Sequence, residues 1–134
     1  MAKTVRATMV VEGLVVAAGI PVKAGDLVGF LGGLVLPALG ASGFYTAARG
    51  VALTGGRAGE TVAMAVRGEV SGLAGLPQRG GLVYVDENTD GVISGTKPVT
   101  AGSWAQAVGW TTDGETPGSG TRVALTLQDD GVVV

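Results

Sequence analysis

Apolar and polar residues alternate along much of this chain, and glycines cut the alternation into short pieces. Residues 4–12 set Val5, Ala7, Met9 and Val11 against Thr4, Arg6, Thr8 and Val10, a period of two that predicts a strand with one greasier face. After Gly13, residues 14–18 form a second apolar piece. Gly19, Pro21 and Gly25 then frame turns leading to strands at 27–31 and 34–36, which Pro37 ends. Strands at 51–54 and 61–70 read as antiparallel neighbours joined across Gly55-Gly56. In the second of these Val62, Met64, Val66 and Gly68 share one face, and Ala63, Ala65, Arg67 and Glu69 share the other. Strands at 82–86 and 92–94 flank residues 87–91, where Asp90-Gly91 marks a tight hairpin turn. The last strands fall at 105–111, whose alternation places Trp110 in the core, and at 121–127. A polar loop with Gly114, Pro117, Gly118 and Gly120 separates them. Residues 72–76 could form one helical turn, limited by Pro77.

One turn phrase recurs. Lys23-Ala24-Gly25-Asp26-Leu27-Val28, Arg57-Ala58-Gly59-Glu60-Thr61-Val62 and Arg79-Gly80-Gly81-Leu82-Val83-Tyr84 each run from a basic residue through a small one and Gly into a strand. Gly there supplies the positive φ that other residues avoid. The uneven spacing between phrases argues against a repeat protein. Many short strands with Gly-rich turns predict an all-β fold, a compact barrel or sandwich of short, mostly antiparallel strands. At 134 residues the chain reads as a single domain, with 1–6 as an N-terminal arm and 128–134 as a flexible tail or one that docks on a neighbour.

Composition narrows the chemistry. The 25 glycines and the Val, Ala and Leu that dominate the apolar 46% suit strands and turns rather than helices. A net charge of −2 disfavours nucleic acid, because no basic field holds a phosphate backbone. The chain has no Cys, which removes disulfides and sulfur-ligated metals, and no His, the commonest general base and transition-metal ligand. An enzyme here would run on carboxylates, Lys, Tyr or Ser alone, and none is expected. Residues 27–48 carry no charge over 22 positions, yet Gly29, Gly32, Gly33, Pro37, Gly40 and Gly43 interrupt them, so strands and turns are expected rather than a membrane span. The N-terminus, with Lys3, Arg6 and Glu12, lacks the apolar core of a signal peptide.

Residues 86–91, Asp86-Glu87-Asn88-Thr89-Asp90-Gly91, match the opening of a calcium loop, but the twelfth position is Lys97 where a bidentate Glu is required. A structural hairpin is the expectation, with no metal and no cofactor. Gly29-Phe30-Leu31-Gly32-Gly33 lacks the helix and Lys that a phosphate loop needs. Asp26, Glu60, Asp113 and Glu115 lie beside Gly in turns, where carboxylates are ordinarily solvated, which argues against a paired-acid hydrolase. Trp104, after Gly102-Ser103, fits the rim of an interface.

Several phrases carry a resemblance in their order along the chain. They are Ala24-Gly25-Asp26-Leu27-Val28, then Ala58-Gly59-Glu60-Thr61-Val62-Ala63-Met64-Ala65-Val66-Arg67-Gly68-Glu69-Val70, then Gly81-Leu82-Val83-Tyr84-Val85-Asp86. Ala107-Val108-Gly109-Trp110 and Thr121-Arg122-Val123-Ala124-Leu125 close the series. Together they resemble the capsid cement, or head decoration, proteins of tailed phages, once described only as a domain of unknown function, over roughly residues 7–127. The resemblance implies a β-rich, non-enzymatic domain on the outer surface of an assembled virion capsid. Its partner would be the major capsid protein of an HK97-like shell, and it would often be a homotrimer. The connection 72–80 and the tail after Leu127 depart from the family's usual appearance. The capsid contact is expected at the N-terminal segment with Lys3 and Arg6, since a terminal strand with open backbone groups can pair with another chain. The alternative is a lipoyl-like carrier or other small β binding module, for which Lys97, between Thr96 and Pro98, would be the modified residue.

Overall fold

The computed structural model describes residues 3–113, 116, 121–128 and 131–134, and among them there is no helix. Eleven strands run in chain order: β1 Thr4–Val15, β2 Leu27–Leu31, β3 Leu34–Pro37, β4 Gly50–Ala52, β5 Thr61–Ser71, β6 Leu82–Val85, β7 Ile93–Ser94, β8 Trp104–Ala105, β9 Ala107–Thr111, β10 Val123–Leu125 and β11 Val132–Val133. Nine form one antiparallel curled sheet in the order β3-β2-β4-β5-β10-β9-β6-β7, with β1 also paired to β5. The remaining two, β8 and β11, pair with each other. The fold is all-β, as the alternation and glycine punctuation predict, and its curled sheet forms a half-barrel, consistent with the expected barrel or sandwich.

β5 organises the sheet. One of its edges pairs with β1 along nearly its whole length. The other is shared, with β4 opposite Met64 and Ala65, and β10 opposite Gly68, Glu69 and Val70. Two arms therefore leave the same strand, β4-β2-β3 and β10-β9-β6-β7. The first arm curls until Val35 of β3 meets Val16 in a parallel bridge at the end of β1. Inside that curl lies a small core of Val16, Val22, Val28, Val35, Ala52, Val62 and Met64. A larger core, with Leu27, Val51, Val70, Leu76, Val83, Val108 and Val123, fills the space under both arms. Leu27 and Val28 belong to different cores, as do Val51 and Ala52, so β2 and β4 are buried on both faces. Strands buried on both faces read as near-continuous apolar runs, which fits 27–29; Phe30 and Leu31, at the far end of β2, are exposed.

Two of the three repeated turn phrases are one structure used twice. Asp26 N–H bonds the Lys23 carbonyl at 3.0 Å, Glu60 N–H bonds the Arg57 carbonyl at 2.9 Å, and Gly25 and Gly59 take φ of +90° and +83° at the third position. In each the acid closes the turn by accepting the N–H of the basic residue, Lys23 to Asp26 Oδ2 at 2.9 Å and Arg57 to Glu60 Oε1 at 2.7 Å. Val22 and Gly56, just before the two turns, exchange backbone hydrogen bonds at 2.9 Å in both directions. Ala52 then clasps the first turn through Gly25 and Asp26, as Val16 clasps the second through Gly59 and Glu60. The hydrogen bonding of the two turns is reciprocal, each being held by the residue that leads into the other. The third phrase differs, since its turn starts at Gln78 and places Arg79 second and Gly81 where the acid would be.

Several expectations need correction. Trp110 is 39% exposed, not core, and Leu82 beside it across β6 is exposed as well. The register of β6 on β9 slips between Val83 and Tyr84, which face Gly109 and Ala107, so Val108 is the extra residue of a bulge and the period of two restarts there. Residues 72–76 make no helical turn, because Gly72 and Gly75 take φ of +80° and +71°, while Leu76 is buried in the larger core. Residues 4–6 are no arm but the start of β1, paired with residues 69–71. The C-terminal tail docks on its own domain, where β11 pairs with β8 and Gly102 N–H bonds the Val134 carbonyl at 2.7 Å. The uncharged run 27–48 folds as β2, β3 and turns.

Candidate functional site

Lys3 and Arg6, the residues singled out for partner binding, part company in the structure. The Lys3 ammonium lies 3.4 Å from the Gly25 carbonyl, so its charge is held against the first repeated turn. Arg6 sits on β1 opposite Glu69 of β5, and Arg67, on the same face by strand alternation, lines the same hollow of about 520 Å³ with Thr8 and Leu125. Neither Arg6 nor Arg67 makes a side-chain hydrogen bond or ion pair among the described residues, whereas Arg122 pairs with Asp113 at 3.7 Å.

This hollow adjoins a second one, of about 490 Å³, and the two share Arg67 and Leu125. The second lies where the arms of the sheet part. Val66 and Arg67 have no strand partner on the shared edge of β5, because β4 stops at Ala65 and β10 begins at Gly68. Arg49 and Gln128 line its sides, with Leu125 and Leu127 contributing apolar surface. Neither Arg49 nor Arg67 is a candidate from sequence alone. Alternation puts Arg67 beside Glu69, but only the tertiary path brings residue 49 next to β5.

Gln106, fully buried, bonds two of the residues that line this cleft, Ala48 and Gln128. Its Oε1 accepts the Ala48 N–H at 2.8 Å and the Trp104 indole N–H at 3.1 Å, and its Nε2 donates to the carbonyls of Ala48 and Gln128 at 2.9 Å each. One side chain thus takes the place of a strand partner for Ala48 and ties the first arm to the second. Trp104, half-buried, stacks on Tyr45 with ring centroids 4.5 Å apart.

A second feature is apolar. β1 has β5 on one side only, and Met9, at 50% exposure, is followed by exposed Val10, Val11 and Val15. Its register on β5 slips at Ala7/Met9, Met9/Val10 and Val11/Leu14, so the greasier face expected from alternation is not laid against the core.

The acidic candidates serve the backbone. Asp86 Oδ2 accepts the N–H groups of Asn88 and Thr89 at 3.1 and 2.6 Å, and Glu87 accepts the Thr100 hydroxyl at 2.8 Å. The 86–91 loop therefore points its first two carboxylates at different partners, and among the described residues no three acidic side chains gather to hold a metal ion. Asp113 Oδ1 accepts the N–H groups of Thr121 and Arg122 at 2.9 and 2.8 Å, which holds its carboxyl below the usual range. The loop positions Gly114, Glu115, Pro117, Gly118 and Gly120 lie outside the described residues, as do Asp129 and Asp130 of the tail. Lys97 is exposed in the connection from β7 to β8, strands that do not pair with each other, so it is not at a hairpin tip where a carrier lysine would stand.

Asp26 differs from the other acids. Burial pushes its carboxyl above the ordinary value, and Asp90 adds to this; the Lys23 N–H and the charges of Lys3 and Lys23 oppose it. A carboxyl whose folded pKa is raised contributes stability that is present below the unfolded pKa and is lost as the pH rises through the folded one. Asp26→Asn, which keeps an oxygen for the Lys23 N–H, is therefore expected to be more stable than wild type at pH 7 and to lose that advantage at pH 3. Urea unfolding at the two pH values checks this, and a variant weaker than wild type at pH 7 refutes it.

Comparison with known proteins returns no matching family model, no matching curated protein and no matching solved structure.

Proposed function

We propose that this chain is a capsid decoration protein, a non-enzymatic domain that binds the outer surface of an assembled phage head and stabilises the shell. The order of the glycine-hinged phrases supports this reading, and one structural observation carries it: β1 is a twelve-residue edge strand that leaves Met9, Val10, Val11 and Val15 exposed. Edge strands of isolated domains are usually blunted by charge, Pro or brevity. Between Arg6 and Glu12, β1 has no charged residue and no Pro. Apolar surface on an open edge suits strand addition by another chain, with the major capsid protein as partner and a homotrimer as the assembly. Binding the assembled shell and not its separated subunits would stabilise it by mass action, and many symmetric contacts would add.

Co-sedimentation with undecorated heads tests the proposal. Wild type is expected to pellet with heads and not with dissociated capsid subunits. Val10→Glu/Val11→Glu, which charges the edge, should weaken head binding by about tenfold or more while unfolding at nearly the wild-type temperature. Failure of the wild type to bind heads, or full binding by the charged double variant, refutes it.

A further inference from the structure

We infer that the cleft where the two arms of the sheet part from β5 is a docking groove for an extended acidic segment of the partner protein. This deepens the decoration reading, on which it rests, by naming the chemistry that one site would recognise. Three observations meet there. First, the shared edge of β5 is open at Val66 and Arg67, between the last residue paired with β4 and the first paired with β10. An extended chain can enter alongside a strand edge left open in this way.

Second, charge is concentrated against the trend of the molecule. Arg6 and Arg67 line two adjoining hollows in a chain of net charge −2, and among the described residues Glu69 is the one acid lining them. Arg6 and Arg67 have no counter-ion among the described residues. Guanidinium groups pair with carboxylates in a two-pronged geometry, so an acidic side chain is the complement they fit. Third, the lining alternates in character. Val66, Leu125 and Leu127 give apolar surface beside the arginines, and the combined hollows are large enough for several residues. An extended segment places successive side chains on opposite sides, so carboxylates at every second position can face the arginines while apolar side chains lie on Val66 and the leucines.

The probe is a capped heptapeptide alternating glutamate and valine, titrated into the full chain with amide chemical shifts as readout. Shifts are expected at residues 6–8, 48–49, 66–69 and 125–128, weakening as salt rises. The same peptide with glutamine for glutamate is expected to produce none. Arg67→Gln should bind the acidic peptide about tenfold more weakly, and Arg67→Lys should recover part of the loss. Equal shifts with the glutamine peptide, shifts confined to β1, or no binding at all would overturn the groove. Head co-sedimentation separates the two ideas. If wild type misses heads yet the peptide maps to the cleft, the decoration reading falls and the groove stands. If wild type and Arg67→Gln bind heads equally and the peptide does not bind, the groove alone is lost.

Discussion

Gln106→Ala is expected to destabilise the domain by about 3–4 kcal/mol, a large share of the roughly 7–20 kcal/mol a chain of this length holds. The reason lies in what the amide leaves behind. Without it the N–H and C=O of Ala48 and the C=O of Gln128 lose the Gln106 amide as partner, in a region where Gln106 and Ala48 are fully buried. A buried polar group without a partner costs about 1–3 kcal/mol, and the vacated volume adds a cavity cost. Gln106→Glu separates hydrogen bonding from packing, since it fills nearly the same space. Its ionised form can accept from Ala48 N–H but would set a carboxylate against two carbonyl oxygens. The introduced carboxyl would be raised in pKa by burial, so its ionisation penalty should be absent at low pH and grow as the pH rises through the folded value. Urea unfolding across pH 3–8 measures both effects. Loss in Gln106→Ala below about 1 kcal/mol would show that water or a rearranged strand replaces the amide.

How much of this was legible in the sequence depends on whether one strand or two were needed to see it. β2 is read to the residue because its five positions are uncharged, Leu27, Val28 and Gly29 are buried, and turns bound it at both ends, all of which is written in 25–33. The turns at Gly25 and Gly59 are legible for the same reason: a positive φ is a local demand that Gly meets. Alternation misplaces Trp110 because the bulge at Val108 exists only relative to β6, and it misassigns the inner face of β1, though not the strand itself, because the three slips exist only relative to β5. A period of two counts residues along one chain and is blind to a residue that has no partner across it. Gln106 left a faint signal, a lone amide between Ala105 and Ala107, whose reach to Ala48 spans 58 positions. Of the two residues singled out, Arg6 lines the hollow that adjoins the cleft and Lys3 lies against a turn, because their separation of three sends them to opposite faces of an extended chain. Arg49 and Arg67 come together only through the branching of the sheet at β5.

That branching should fail if Gly68 acquires a side chain. Gly68 pairs with Ala7 of β1 on one side and Leu125 of β10 on the other, at φ of +145°. A Cβ built there would land on the Arg6 carbonyl oxygen and press on Ala7 Cα, so β1 would have to move away. Gly68→Ala is expected to cost about 3 kcal/mol or more, the sum of a conformation almost reserved for Gly and a steric collision with backbone that has no rotamer to escape into. Gly80→Ala is the control. Its φ is also positive, at +85°, but nothing lies within 4 Å of the added methyl, so it should cost only about 1–2 kcal/mol. The difference between the two isolates the close approach of β1 to β5. Hydrogen exchange locates it: amides of residues 4–7 should lose protection in Gly68→Ala while those of β6 and β9 keep theirs, because β1 can peel from β5 without opening the larger core. If Gly68→Ala and Gly80→Ala cost the same, β1 is not held against β5 at this point, and the edge offered to a partner would be a different one.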